Sequence, residues 1–512
     1  MCVRLRFGCW LAVVAAVVPV LLSGCRAVGP NYRRPDVQAP AEFRGQPPAA
    51  AATAAQAPEL AWRDVYRDPQ LQALIAEALA NNYDVRIAIS RVDQARAVAA
   101  QARAGFFPTL NGEYGGFRGY NAELGNPVSA NKNVTSNSAI GALNAAWVLD
   151  VWGGIRRQNE ADVALYLASD EGRRDVMVIL VGELAQAYFE LLALDRDLAI
   201  AQQMTVSFRG SLKMFEEQLR GGVASTLDTS RAAAALTQVQ ADLPKFTRQI
   251  ALQENLICLL VGRHPGPVAR GQPMLEQKLA DIPAGLPSSL LERRPDIRQA
   301  EQNLRAANAQ IGVATANLLP QFSLTGLGGS VNQKLSAFGG DATGVASIGG
   351  VVTAPLFNGG LLWAKRKQAI AARNEARLQY QQKVLTAFKE VADALVAKDT
   401  YAEQRAFQEQ TVKSLEKAVD VANKRYLVEK ASYFEIIDAQ QQLYSAALSL
   451  TQTQLAQLTQ VVQFYGALGG GWEDHPVFPP APVAAVPGAV MPVPAAAPAD
   501  VLPLPPPPVP GK

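Results

Sequence analysis

Residues 84–108, DVRIAISRVDQARAVAAQARAGFFP, are echoed by residues 296–320, DIRQAEQNLRAANAQIGVATANLLP. Asp84-Val85-Arg86 answers to Asp296-Ile297-Arg298. Ala88, Ala95, Ala97, Ala102, Ala104 and Pro108 answer to Ala300, Ala307, Ala309, Ala314, Ala316 and Pro320, every pair 212 residues apart. Farther on, Gly153-Gly154 answers to Gly359-Gly360 at 206, and Glu183 and Ala224-Ser225 to Glu390 and Ala431-Ser432 at 207. The spacing shortens only between Pro108 and Gly153, as an insertion of about six residues in one surface loop of the first copy would produce. The chain therefore reads as a duplication of one helix, one strand pair and one long helical hairpin. Such internal pseudosymmetry builds ring-like or two-sided bodies.

Two kinds of pattern fill each copy. Segments 161–215, 228–262, 364–427 and 433–468 carry apolar residues at alternating spacings of three and four. In the third, Ala369, Ala372, Ala376, Tyr380, Val384, Ala387, Val391 and Leu395 form one stripe; in the fourth, Ile436, Ala439, Leu443, Ala447, Leu450, Leu458, Val461 and Tyr465 do the same. This is coiled-coil periodicity, with many alanines to admit close helix approach. Gln440, Gln441, Gln442, Gln452, Gln454, Gln457, Gln460 and Gln463 give the last helix a polar, uncharged surface, either a solvated face or the lining of an aqueous lumen. After Pro108 and Pro320 the period changes to two. One face of 138–150 carries Ala139, Gly141, Leu143, Ala145, Trp147 and Leu149, with Ser138, Asn144 and Asp150 opposite; one face of 344–356 carries Ala346, Ile348, Val352, Ala354 and Leu356, with Ser347 and Thr353 opposite. Apolar on one side and about ten residues long, these fit lipid-facing barrel strands, with Tyr114, Phe117, Tyr120 and Trp147 as candidate interfacial aromatics. Four such strands cannot close a transmembrane barrel, whose smallest form has about eight, so the reading requires an oligomer.

The ends of the chain locate it. Arg4 and Arg6 precede an apolar run, Leu11 to Leu22, too short to span a bilayer, which ends in Leu22-Ser23-Gly24-Cys25. This resembles the bacterial lipoprotein signal, in which Cys25 becomes the acylated first residue of the mature protein. No acidic residue follows Cys25 at Arg26 or Ala27, so outer-membrane sorting is expected. Cleavage removes Cys2 and Cys9, and acylation occupies Cys25. Only Cys258 remains, so no intrachain disulfide is expected. The net charge falls from +3 to +1, which argues against nucleic acid as a partner. An Ala/Pro/Gln run from Ala39 to Pro58 cannot sustain a helix and reads as extended chain on a surface. Asp68 and Pro69 are the expected cap and first residue of a helix that Trp62 and Leu71 also help to open. Pro, Ala and Val dominate from Trp472 to the end, and a disordered or polyproline-like tail is expected there. The expected organisation is a signal peptide (1–24), an anchored extended segment (25–60), a first repeat (61–265), a second repeat (266–471) and the tail (472–512).

The lipobox, Gly29-Pro30-Asn31-Tyr32 with Pro35, Trp62 with Asp68-Pro69, Arg293-Arg294-Pro295-Asp296-Ile297-Arg298 with Ala300-Glu301, Leu319-Pro320, Pro355-Leu356-Phe357-Asn358-Gly359-Gly360, and Arg425-Tyr426 followed by Ile436-Ile437-Asp438-Ala439-Gln440 span nearly the whole chain. Together they resemble the outer-membrane factor family, the TolC-like channels of tripartite efflux systems, in its OprM-like lipoprotein branch. The resemblance implies an α+β membrane protein with a long α-helical coiled-coil barrel and a transmembrane β-barrel, four strands per chain and twelve in a homotrimer. It implies a periplasmic adaptor and an inner-membrane transporter of the resistance-nodulation-division type as partners, and passive conduction to the exterior. It also places a periplasmic gate at Phe434 and Asp438, with Asp228 and Arg231 as possible gate partners. The residues agree in part: Phe434 and Asp438 lie four apart, on one helix face near a hairpin tip, although coiled-coil core and a solvated helix start would explain them as well. One departure is Glu429-Lys430, where the family usually carries a glycine two residues past the position of Leu427; the first copy keeps Gly221-Gly222.

No catalytic or cofactor constellation competes. The two histidines, His264 and His475, stand apart with no cysteine or carboxylate cluster at ligand spacing, and the glycine-rich stretches lack a following Lys-Ser/Thr. Six scattered methionines give no support for a soft-metal relay. A lipid-anchored periplasmic adaptor and a structural coiled-coil lipoprotein are the alternative readings. The first would show one hairpin without duplication, the second no membrane-type strands.

Overall fold

The computed structural model describes residues 27–37, 40, 43–44, 61–120, 122–123, 126–127, 135–277, 290–332, 343–428 and 432–470. The signal peptide, Cys25, most of the Ala/Pro/Gln run, Glu429, Lys430 and the tail from Trp472 lie outside the described residues.

Trp62–Val65 (α1) is a helical turn of its own, separate from Pro69–Asn81 (α2). The sequence expectation joined them. Pro69 disfavours helical geometry in the residue before it, and Asp68 is extended at ψ 117°. As a cap Asp68 behaves as expected: its carboxylate accepts the Gln70 backbone N–H at 2.8 Å. Asn82 repeats the device for Tyr83–Ala104 (α3), accepting the N–H of Asp84 at 2.7 Å.

From α3 onward the structure is written twice. After α3 come Thr109–Tyr120 (β1), a small ladder of Ala122–Glu123 (β2) with Asn126–Pro127 (β3), Thr135–Leu149 (β4), Gly154–Arg220 (α4) and Thr226–Val261 (α5). After the short Leu290–Arg293 (α6) come Pro295–Ala316 (α7), Gln321–Asn332 (β5), Thr343–Thr353 (β6), Leu361–Leu427 (α8) and Tyr433–Ala467 (α9). Helices α3 and α7 both have 22 residues, and α4 and α8 both have 67. At 1.5 Å per residue the long pair runs about 100 Å. Each long helix follows a glycine in left-handed geometry, Gly153 at φ 75° and Gly360 at φ 84°. The spacing loss falls mostly between the strands: residues 121–134, with the β2–β3 ladder, separate β1 from β4, against 333–342 between β5 and β6.

The four long strands form one antiparallel sheet in the order β1-β4-β5-β6, so the hairpins of the two copies join through β4 and β5. Register decides the faces. Leu110, Tyr114, Leu143, Ala145, Trp147, Phe322, Leu324, Ile348 and Val352 share one face, and the other is mixed, with Asn111, Glu113, Asn144, Ser323, Thr325 and Ser347 beside Ile140, Val148, Leu327 and Val351. On the mixed face Asn144 donates to the Glu113 carboxylate at 3.1 Å. On the apolar face Trp147 is 39 % exposed and Ile348 91 %, as expected of a wall made to meet lipid. The side chains of Phe117 and Tyr120 lie outside the described residues.

Helix α4 is apolar and long enough to pass for a membrane span, but it is a core helix: Leu180, Leu184, Tyr188, Phe189 and Leu191 are buried against neighbouring helices. The eight glutamines of α9 do not form one surface. Gln440, Gln454 and Gln460 are buried, whereas Gln441, Gln442, Gln452 and Gln463 are exposed. Because α9 packs against both α4 and α8, two of its stripes are covered. Gln440 donates to Ser207 and Ser211 at 2.9 and 3.0 Å, and Gln460 to the Ala394 carbonyl at 2.9 Å, so these amides fasten helices together.

Candidate functional site at the hairpin tips

The two hairpins end together. Phe215 of α4, Ala232 and Leu236 of α5, Ala422 of α8, and Ile436 and Ile437 of α9 share one buried cluster. Phe215 is fully buried and meets Tyr426 and Tyr433 edge-on, at centroid distances of 5.4 and 6.0 Å. Gly221 closes α4 and Gly222 turns the chain at φ 79°. Ser225 then caps α5, accepting the Asp228 N–H at 3.3 Å while its own N–H donates to the Asp228 carboxylate at 2.9 Å. The second tip repeats the capping box 207 residues later with Ser432 and Glu435, whose carboxylate accepts the Ser432 N–H at 3.3 Å.

On this scaffold Phe434 is 57 % exposed, turned away from the buried cluster. One turn on, Asp438 is half-buried and accepts a hydrogen bond from Gln442 at 2.7 Å. Asp228 and Arg231 converge elsewhere. Arg231 donates to the Tyr433 hydroxyl at 2.8 Å. The Asp228 carboxyl lies below the usual carboxylate range, held there first by the Ser225 N–H and then by the Ser225 hydroxyl, the Tyr433 hydroxyl and the Arg231 charge. Within one chain, therefore, Asp228 and Arg231 meet at Tyr433, the neighbour of Phe434, and Asp438 pairs with its own helix. Sequence reasoning passed over Tyr433. The available signal was an aromatic at the first position of α9, beside Phe434 and matching Thr226 in the first copy.

Two ionic groups farther along the helices complete the electrostatics. Arg294 is buried, donates to Asp296 at 3.0 and 2.9 Å and to Glu390 at 2.6 Å, and covers the Ala467 carbonyl at 2.8 Å. It joins the start of α7 to α8 and to the end of α9. Burial alone would raise the Asp296 pKa, but the Arg294 hydrogen bonds and charge outweigh it and hold the carboxyl low. Asp197 of α4 is in the opposite position, only 3 % exposed with one oxygen lacking a donor, and burial pushes its pKa up to about 6. No cluster of metal-binding side chains occurs among the described residues.

Comparison with known proteins adds four findings. The outer membrane efflux protein family profile matches the chain twice, over residues 74–263 and 286–470. The solvent efflux pump outer membrane protein SrpC of Pseudomonas putida is 34% identical over 461 residues, covering 88% of this chain and 97% of SrpC. The cation efflux system protein CusC of Escherichia coli strain K12 is 32% identical over 456 residues, covering 89% of this chain and 98% of CusC. Among solved structures, that of the outer-membrane channel OprN superposes with a TM-score of 0.79 at 30% identity, covering 87% of this chain and 99% of OprN.

Proposed function

The chain belongs to the outer membrane efflux protein family, and on that premise we propose that it works as a homotrimeric conduit closed at its periplasmic end by the hairpin tips. It is an outer-membrane efflux channel. The observation that carries the trimer is the sheet: four strands, one apolar face, and edge strands β1 and β6 with no further partner among the described residues. Four strands fall short of the roughly eight that a closed barrel needs, and three chains supply twelve. The duplication then places six similar helical hairpins around one axis. Planar-bilayer recording of the detergent-purified protein tests this. Discrete conductance from a species of trimer size is expected, and a correctly processed protein that is monomeric and non-conducting refutes it.

At the tips, three copies of Phe434 form an apolar constriction and three Asp438 carboxylates a cation-attracting ring. The exposure of Phe434 beside the Asp228–Tyr433–Arg231 contact supports this assignment. Phe434→Ala with Asp438→Ala should raise resting single-channel conductance without lowering trimer yield; unchanged conductance in a folded double variant moves the gate elsewhere. A periplasmic adaptor and an inner-membrane transporter of the resistance-nodulation-division type deliver substrate to this end, and passage is passive. Cys25 carries the acyl anchor, as its lipobox supports. Radiolabelled palmitate should enter the wild type and not Cys25→Ser.

A further inference from the structure

Four consecutive carbonyls near the start of the described chain are gripped by side chains from distant helices. Arg157 of α4 is 5 % exposed. Its Nε donates to the Val28 carbonyl at 3.1 Å, and its Nη2 lies 3.4 Å from the Ala27 carbonyl, 3.3 Å from that of Gly29 and 2.7 Å from the Asn31 side-chain oxygen. Asn308 of α7 donates to the Pro30 carbonyl at 2.8 Å. The Val28 N–H in turn donates to the Trp152 carbonyl at 2.9 Å, at the foot of β4. Away from residues 27–31, Arg157 keeps only Glu160 among the described residues, at 2.7 Å. A buried guanidinium with most of its donors unmet is costly, so the pocket around Arg157 is complete only with this segment in it.

Shape enforces the same fit. Gly29 sits at φ 91°, and a Cβ there would come within 2.5 Å of the Gly312 backbone. A Cβ on Gly312 would meet Arg157 at 2.6 Å and the Val28 carbonyl at 2.8 Å, and one on Gly153 would meet Ala27 at 2.5 Å. Glycines on the segment, on α7 and before α4 thus let three backbones touch. Beyond the socket, Tyr32 donates to Glu301 at 3.1 Å and Arg34 bonds the same carboxylate, through Nε at 3.0 Å.

We propose that Arg157, Asn308 and the three glycines form a socket that fixes the mature N-terminus at the junction of barrel and helices, tying the lipid anchor to both repeats at one point. The proposal rests on the reading of Cys25 as the acylated residue. Cys25 precedes Ala27 by two residues, a reach of about 7 Å. The acyl group is therefore confined to the barrel foot beside Trp152. Arg157 acts as a positioning residue, reading backbone carbonyls and so leaving the identity of most residues it holds unconstrained.

The test is an Asp-N protease time course on the full-length, signal-processed protein in detergent, with mass spectrometry of the N-terminal peptide released by cleavage before Asp36, the first acidic residue after Cys25. Arg157→Gln should release it about tenfold faster or more, because several charge-assisted hydrogen bonds are lost. Asn31→Ala, which leaves every residue of the helical body in place, should give a smaller acceleration with the thermal midpoint of the trimer unchanged. Arg157→Lys should fall between wild type and Arg157→Gln. An acylated peptide released at the wild-type rate from both Arg157→Gln and Asn31→Ala overturns the socket. A wild-type peptide without acyl mass overturns the anchor reading, and with it the tether.

Discussion

Replacing Asp197 by Asn should stabilise the helical bundle at neutral and alkaline pH and do little in acid. The carboxylate is covered by α4 and α9. One oxygen accepts from Gln452 at 3.2 Å and the other has no donor at hydrogen-bond geometry; the adjacent Thr451 hydroxyl donates to the Ala447 carbonyl at 3.2 Å. The nearby Thr451 and Gln452 side chains, and after them the Arg196 and Lys245 charges, lower its pKa but do not offset burial, and Tyr444 nearby is engaged with Asp242 at 2.8 Å. A folded pKa of about 6 against a reference of 3.8 means that the folded state disfavours the charge. The penalty is full above the folded pKa and disappears as pH falls through the interval toward the unfolded one, so this group makes the protein more stable as pH drops from about 7 to about 4. Two pH units correspond to about 3 kcal/mol, which water entering between the helices reduces to roughly 1–2 kcal/mol. Denaturant unfolding followed by helical circular dichroism should show Asp197→Asn more stable than wild type by that amount at about pH 8, shrinking severalfold at about pH 4. An equal difference at both values, or a wild type stabilised by alkali relative to the variant, refutes the reasoning.

Three further outcomes follow from the geometry. Arg294→Met should cost about 3 kcal/mol, because it removes both short hydrogen bonds to buried Asp296 and leaves it only the Lys383 ammonium at 3.9 Å, and should show as a lower thermal midpoint and reduced trimer yield. Ser225→Ala should cost about 1 kcal/mol through loss of the first-tip cap, read as faster hydrogen exchange confined to the first turn of α5. Tyr433→Phe keeps the ring against Phe215 but removes the hydroxyl that Asp228 and Arg231 share. It should raise resting conductance while moving the thermal midpoint little, and a change in midpoint without a change in conductance counts against a role for Tyr433 in the gate.

The fold was legible in the sequence because its main signals are periodic and local. Alternation of period two marked the strands, spacings of three and four marked the long helices, and Asp68-Pro69 marked a helix start that the structure places there. The paired strings at 84–108 and 296–320 carried the topology further than any single pattern, since equal helices α3 and α7 follow directly from them. What stayed hidden depends on contacts between distant segments. Glutamines at 440, 454 and 460 look like surface in a string, and only the simultaneous packing of α9 on α4 and α8 buries them. Arg157 carries no mark in the sequence, because its partners are the carbonyls of residues 27–29 and the Asn31 side chain, about 130 positions away. At the tips, the S-x-x-D/E spacing of Ser225 with Asp228 and Ser432 with Glu435 was readable, but the meeting of Arg231 with Tyr433 across 202 residues was not.

The two tips share their caps and differ in nearly everything beyond them, and that difference bears on how a gate there would work. Ser225 and Ser432 start their helices by the same device, so each copy keeps a rigid start to its second helix. Aromatic and ionic residues then bridge the copies: Phe215 of the first packs on Tyr426 and Tyr433 of the second, and Arg231 of the first donates to Tyr433 of the second. A movement that separates the hairpins of one chain must break the exposed Arg231–Tyr433 bond and uncover part of the aromatic cluster. An exposed polar pair is worth about 0.5–1 kcal/mol. Three chains opening together would lose roughly 1.5–3 kcal/mol from that bond, an excess of closed over open of about ten- to a hundredfold. A free-energy difference of that size keeps the resting proposed gate shut; a partner that binds the open arrangement a hundredfold more tightly would only balance the larger figure, and holding the gate open at 99:1 against it takes a preference of about 10⁴-fold.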